Sequence, residues 1–268
     1  MPTRLIEGQA TKLARTIHTI SHDPIHDEIV VGNPVAQAIL VFRGGADGAE
    51  PPIRIIQGPK TMLWDPDHVD VDPVHNEIFV PERDSVLVFP REANGDVAPI
   101  RVIQGPDTQL VRPRGISTVP DLDLIVVSVD TFGAEHSEET YGRRAKPGET
   151  AFLIFNRTDN GNVKPLRIVG HGLKSRFSDN NAGKSVVSPK GWIVVGLGSG
   201  GDRDNPFKGV GVWSVNDTGD VPPRWVLTGP KTMLMDGASA IALNSNAKEL
   251  IVRLEDGSFA GYSFPEIF

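Results

Sequence analysis

Eleven residues recur along this chain. IRIIQGPKTML at 53–63 returns as IRVIQGPDTQL at 100–110 and as RWVLTGPKTML at 224–234. Two weaker copies, TRLIEGQATKL at 3–13 and LRIVGHGLKSR at 166–176, complete the series. The starts at 3, 53, 100, 166 and 224 are separated by 50, 47, 66 and 58 residues, and 45 residues run from the last start to the C-terminus. A repeat of roughly 40–50 residues is the length at which propeller blades recur.

Each repeat reads as four strands. The second contains HVDVDP (68–73), NEIFVPE (76–82), SVLVFP (85–90) and IRVIQG (100–105). These runs are short, rich in Val, Ile and Phe, and separated by Pro, Asn, Asp and Gly, which is the signature of strands joined by tight turns. The other repeats supply counterparts such as EIVVGN and AILVF, DLIVVSV and AFLIF, WIVVGLG and GVWSV, and ELIVRL and FAGYSF. One spacing is strict. Phe42 to Arg54, Phe89 to Arg101, Phe155 to Arg167 and Trp213 to Trp225 are each 12 residues apart, with Gly48, Gly95, Gly161 or Gly219 halfway. Asp47, Asn94 and Asn160 precede three of these glycines, and an Asx-Gly pair tolerates the positive φ of a hairpin turn.

The chain ends complement one another. FAGYSFPEIF ends the fifth repeat without a fourth strand, and TRLIEG at the start is a fourth strand with no preceding three. The expected fold is therefore all-β: a five-bladed β-propeller in one domain spanning 1–268, with four antiparallel strands per blade. Residues 4–7 are expected to pair antiparallel with the strand near 259–264, so that the last blade is closed by the N-terminal strand and no long edge stays open.

Composition agrees and excludes some functions. The 28 glycines and 22 prolines are spread along the chain as turn punctuation. A net charge of -7 argues against a general nucleic-acid partner, which needs clustered Lys and Arg. The chain has no cysteine, so it has no disulfide, thiolate metal site or thiol nucleophile. No window approaches the roughly 18 apolar residues of a membrane span, so no membrane partner is expected. The N-terminus carries no export signal, giving a soluble, cytoplasmic monomer as the expectation, or a secreted or periplasmic one if a signal was removed.

From Ser85 to Ile116 the chain reads SVLVFPREANGDVAPIRVIQGPDTQLVRPRGI. This resembles the NHL-like and YncE-like β-propeller repeats, in the bacterial variety that runs "VLVF", a Gly turn, "P-I-R-x-I-x-G", "T-x-L" and "P-x-G-I". The resemblance covers nearly the whole chain and implies architecture only, because such families include enzymes, ligand binders and interaction platforms. Their familiar members have six or seven blades, whereas five are counted here. The Gly-His and Trp-Asp pairing of the WD type is absent.

If the first strand of each blade lines the channel, the crossings between blades and the loops between second and third strands share one face. The repeats exceed their basic length mostly there, at 128–150, 170–183 and 196–209. Binding residues concentrate on loops held by a rigid scaffold. The candidate ligand-binding residues are Asp130, Glu135, Tyr141, Arg143, Arg176, Asp179, Asn180, Asp202, Arg203 and Asp204. The competing reading is solvated loops with no ligand. Arg143 and Arg144 following Glu135, Glu138 and Glu139 fit that reading.

His18, His68, His136 and His171 fall on the same face and form a candidate metal site for Zn, Cu or Fe, all of which neutral imidazole binds. Separate solvated or hydrogen-bonded histidines are the alternative. Asp202 and Asp204 beside Asn205 are oxygen ligands suited to Ca²⁺ but lack the EF-hand spacing. Ser199 in GLGSGG has no following helix and so no nucleophile elbow. His26 and His75 share a slot on the opposite side and read as structural, and His22 reads as packed or hydrogen-bonded. Met62, Trp64, Met233 and Met235 read as core plugs at the blade tops. Three functions follow: a binding propeller for a small molecule, glycan or peptide; a metal-dependent hydrolase or lyase; and a protein-interaction scaffold. The first needs only the concentrated loops and is the working expectation.

Overall fold

The computed structural model of the chain describes residues 3–134, 148–177, 185–198 and 207–268. Its strands form five antiparallel sheets, and within each sheet every strand pairs with the next in sequence. The sheets are the blades of a five-bladed, all-β propeller, with short 3-10 turns as the only helical elements among the described residues. No helix there is long and apolar enough to cross a membrane. The chain divides into two compact units, Met1–Gly105 with Asp159–Val163 and Pro106–Thr158 with Lys164–Phe268.

In the first unit, one sheet holds β1 (Ile20–Asp23), β2 (Glu28–Asn33), β3 (Ala38–Arg43) and β4 (Arg54–Gln57). The next holds β5 (Asp70–Asp72), β6 (Glu77–Glu82), β7 (Ser85–Pro90) and β8 (Arg101–Gln104). Their facing sides share one core, in which Val30, Ile39 and Val41 meet Val71, Ile78, Val80, Leu87 and Phe89. Both faces of a middle strand are covered, which is why AILVF and SVLVF are unbroken apolar runs and do not alternate with polar residues.

The second unit holds β9 (Pro113–Val119), β10 (Leu124–Val129), β11 (Ala151–Asn156) and β12 (Arg167–Gly170) in one sheet. A second sheet has β13 (Ser185–Val187), β14 (Trp192–Leu197), β15 (Gly209–Ser214) and β16 (Trp225–Leu227). Phe152, Ile154 and Val169 pack with Ile193, Val195 and Trp213 between these sheets. The last sheet has three strands, β17 (Ala240–Asn244), β18 (Glu249–Arg253) and β19 (Phe259–Ser263). Unlike the other third strands, β19 alternates in burial and leaves Phe259 exposed. In the first unit, Ile6 makes a single parallel bridge to Gly48.

That bridge is one of four. Ile56 bridges Gly95, Ile103 bridges Gly161, and Val169 bridges Gly219. All four hairpin glycines have positive φ, between 61° and 78°, as the turn requires. Their amides donate to the preceding outer segment: Gly48 to Leu5 O at 2.8 Å, Gly95 to Ile55 O at 2.6 Å, Gly161 to Val102 O at 2.7 Å and Gly219 to Ile168 O at 2.7 Å. The Asx residue before the glycine accepts in return. Asp47 Oδ1 takes Leu5 N–H at 2.9 Å, Asn94 takes Ile55 N–H at 3.0 Å and Asn160 takes Val102 N–H at 3.0 Å. The Asx-Gly pair is thus a seam between repeats as well as a turn.

A second repeated device changes chemistry along the chain. Arg54 forks onto Glu28 at 2.9 and 2.6 Å, and Arg101 onto Glu77 at 2.7 and 2.8 Å. At the corresponding places of the fourth sheet stand Trp225 and Trp192, whose rings meet edge to face at 4.6 Å. An ion pair and an aromatic pair fill the same cross-strand position.

Candidate functional site

The bases of the three inserted segments touch one another within the second unit. Phe132 N–H donates to Glu149 O at 2.8 Å, pinching the first segment at its root. The Phe132 ring lies 4.6 Å from the His171 ring, edge to face, so the first root meets the second. Phe177 anchors the second from below, buried against Phe152 at 5.0 Å and Trp213 at 4.6 Å. The Arg176 guanidinium beside it lies 4.7 Å from the centroid of Phe207, which belongs to the third root. Lys208 closes that third root by donating from Nζ to Gly198 O at 2.7 Å.

Polar groups collect among these roots. Asp130 is 2% exposed, with Arg114 Nε 3.7 Å from its Oδ2. Thr131 is fully buried and its Oγ1 has no hydrogen-bond partner among the described residues. An unsatisfied buried hydroxyl costs about 1–3 kcal/mol. His171 and Arg176 are exposed, and both hold a left-handed backbone, with φ of 59° and 60°. Non-glycine residues adopt that conformation at a cost and cluster at sites where the fold imposes it.

Of the ligand-binding residues expected from sequence, Asp130 and Arg176 belong to this arrangement. Glu135, Tyr141, Arg143, Asp179, Asn180, Asp202, Arg203 and Asp204 lie outside the described residues, as does His136. Thr131, Phe132, Phe207 and Lys208 were not anticipated. Their common signal is position, since each stands within a few residues of one end of an inserted segment.

The remaining metal candidates are placed differently. In the first unit His18 Nδ1 is hydrogen-bonded to Asp67 Oδ1, and His68 Nε2 stands 3.8 Å from Asp67 Oδ2. The His18 side chain is largely exposed, whereas that of His68 is mostly covered. The two imidazoles share a carboxylate, and His171 is packed on Phe132. Among the described residues no three His, Cys, Asp or Glu side chains are grouped so as to hold a metal ion. His26 and His75 are structural as expected: each donates or accepts at its Nδ1 with Asp23 or Asp72, at 2.7 and 2.8 Å, within a turn that the same aspartate caps. His22 is exposed on β1 and is not packed.

The core-plug reading of Met62, Trp64, Met233 and Met235 is corrected. All four side chains are exposed, and the leucines between them, Leu63 and Leu234, are buried. The cause is backbone geometry. Each 3-10 turn ends on a left-handed residue, Met62 or Met233, both with φ 61°. That conformation turns the flanking side chains outward and the leucine in.

Fold and site together describe a propeller with one elaborated set of loop roots. The chain matches no protein-family model, and no curated protein is similar to it.

Proposed function

We propose that this chain is a ligand-binding β-propeller that holds a small molecule, glycan or peptide over the loop roots of its second unit. One observation carries the reading: the three insertions are neighbours at their bases, joined through Phe132 with His171 and through Arg176 with Phe207. Sequence-distant loops that meet on a rigid sheet scaffold are the usual place of recognition. The chemistry present suits a polar ligand. Asp130 accepts from a hydroxyl or ammonium, Thr131 Oγ1 donates or accepts, and Arg176 pairs with a carboxylate. A thermal-shift panel of mono- and disaccharides, amino acids, dicarboxylic acids and short peptides tests it. Binding of one class, lost in Arg176→Ala and in Asp130→Asn while both variants keep their folded spectra, supports the reading. Stabilisation by no class, or binding indifferent to both substitutions, contradicts it.

A second reading, an interaction platform for another protein, is favoured by the exposed apolar corner Met62 and Trp64 of the first unit. It predicts a partner whose binding is lost in Met62→Ser with Trp64→Ser and is untouched by Arg176→Ala.

A further inference from the structure

Three glutamates of the first unit, Glu28, Glu77 and Glu82, are buried. Two are paired with arginine. Glu28 receives Arg54 and, at 2.9 Å, Arg91, and Glu77 receives the fork of Arg101. Glu82 differs, because among the described residues no side chain hydrogen-bonds to it and its two oxygens each accept one backbone N–H, Oε1 from Trp64 and Oε2 from Asp65, both at 3.1 Å. A buried carboxylate without a cation partner is a costly arrangement unless its proton can return.

The matching position of the neighbouring repeat carries no charge. Asn33 ends β2 as Glu82 ends β6. Its amide donates to Lys12 O at 2.9 Å on the crossing that precedes that sheet, while its Oδ1 accepts from Ala36 N at 3.2 Å within its own turn. That crossing is held through a carbonyl by a neutral amide, whereas Glu82 holds its crossing through two backbone N–H groups. The crossing clasped by Glu82 runs from Gly58 to His68 and presses on β2, where a Cβ at Gly32 would meet Pro66 O at 2.2 Å. It also carries Asp67, the partner of His18, and Asp67 N–H donates to Asp65 O at 2.6 Å.

We propose that Glu82 is a proton-binding site that controls the crossing Gly58–His68, pinning Trp64 and Asp65 when ionised and loosening them when protonated. The ionised carboxylate offers an acceptor oxygen to each amide. Protonation turns one oxygen into a hydroxyl, a much weaker acceptor, so one of two adjacent backbone N–H groups loses its bond. Movement of Asp65 passes to Asp67 through their direct backbone bond and so to the His18 contact. The charged groups acting on Glu82 are Asp65 on the crossing, which opposes ionisation, and Arg83 on the following turn, which favours it. Burial is the largest influence and carries the carboxyl from 4.5 up to about 7, so the switch falls at neutral pH. Trp64 stands at the moving point, exposed, with the Arg83 guanidinium 4.8 Å from its ring centroid.

The test is a carbon-detected NMR titration of the Glu82 carboxyl in the full chain, with hydrogen exchange of the Trp64 and Asp65 amides corrected for intrinsic pH dependence. A midpoint near 7, and protection of these amides several-fold lower at pH 5.5 than at pH 8.5, are expected. In Glu82→Gln the protection should no longer depend on pH. A Glu82 midpoint near 4.5, or equal protection of both amides at the two pH values, overturns the proposal. The wild-type titration decides the matter even if Glu82→Gln does not fold.

Discussion

Gly95→Val isolates the conformational cost of the hairpin turn from any cost of crowding. Gly95 has φ 78°, and a Cβ built there meets nothing within 4 Å. Steric exclusion by neighbours is therefore absent, and the penalty lies in the backbone itself. A β-branched residue in the left-handed region costs roughly 1–3 kcal/mol. The two seam bonds of Gly95, its N–H to Ile55 O at 2.6 Å and its carbonyl to Gln57 N–H at 3.1 Å, oppose escape to another conformation. Gly32→Ala is the contrasting control. There the new Cβ would lie 2.2 Å from Pro66 O, so the crossing must shift by an ångström or more and the cost is steric. Urea denaturation at 25 °C measures both. Gly95→Val should lose 1–3 kcal/mol, by the same estimate, with unchanged denaturant slope. A change under about 0.5 kcal/mol, the range of neutral surface substitutions, would refute the turn and seam reasoning together.

Glu28 gives an acid prediction. Burial pushes its carboxyl up, but the hydrogen bonds from Arg54 and Arg91 outweigh this and hold it below 4.5. A depressed folded value means its stabilisation is present above 4.5 and fades as pH falls below it, so the wild type should lose stability there faster than Glu28→Gln, measured by melts across pH 2.5–6. Glu82 has the opposite sign for global unfolding, which exposes the carboxyl, in contrast to the local loosening of Trp64 and Asp65, in which it stays buried: its raised value makes the folded state favour the proton, and stability is lost as pH rises from 4.5 through about 7. Over that window the stability difference should move by about 3 kcal/mol in favour of Glu82→Gln, and a constant difference between pH 4 and 8 contradicts it. Closure of the last sheet by residues 4–7 predicts that deleting residues 1–8 lowers the melting temperature and strips hydrogen-exchange protection from β19; an unchanged melt with unchanged protection excludes it.

The architecture was legible because its markers are backbone requirements that any sequence must meet. A glycine six residues after each aromatic is needed wherever the chain turns through positive φ, and the spacing of 12 fixes loop length regardless of side-chain detail. What Asp47, Asn94 and Asn160 do beyond the turn was not legible, since their partners Leu5, Ile55 and Val102 lie 39 to 58 residues away. Hydrophobicity misplaced Met62 and Trp64 because a left-handed residue reverses which neighbour faces inward, and nothing in TMLW announces that conformation. Nothing in NEIFVPE marked Glu82, and its character comes from burial with no arginine hydrogen-bonded to it among the described residues. For the site, Asp130 and Arg176 stood out as charges in long loops. Thr131 did not, because an unsatisfied hydroxyl can be recognised only once its surroundings are known.

The central claim is that the loop roots of the second unit hold a ligand, and amide chemical-shift mapping with the stabilising compound from the thermal-shift panel tests it most directly. The account predicts shifts concentrated at 130–134, 148–150, 170–177 and 207–209, and their loss in Arg176→Ala. Shifts gathered instead around Met62 and Trp64, or spread evenly over both units, would contradict it.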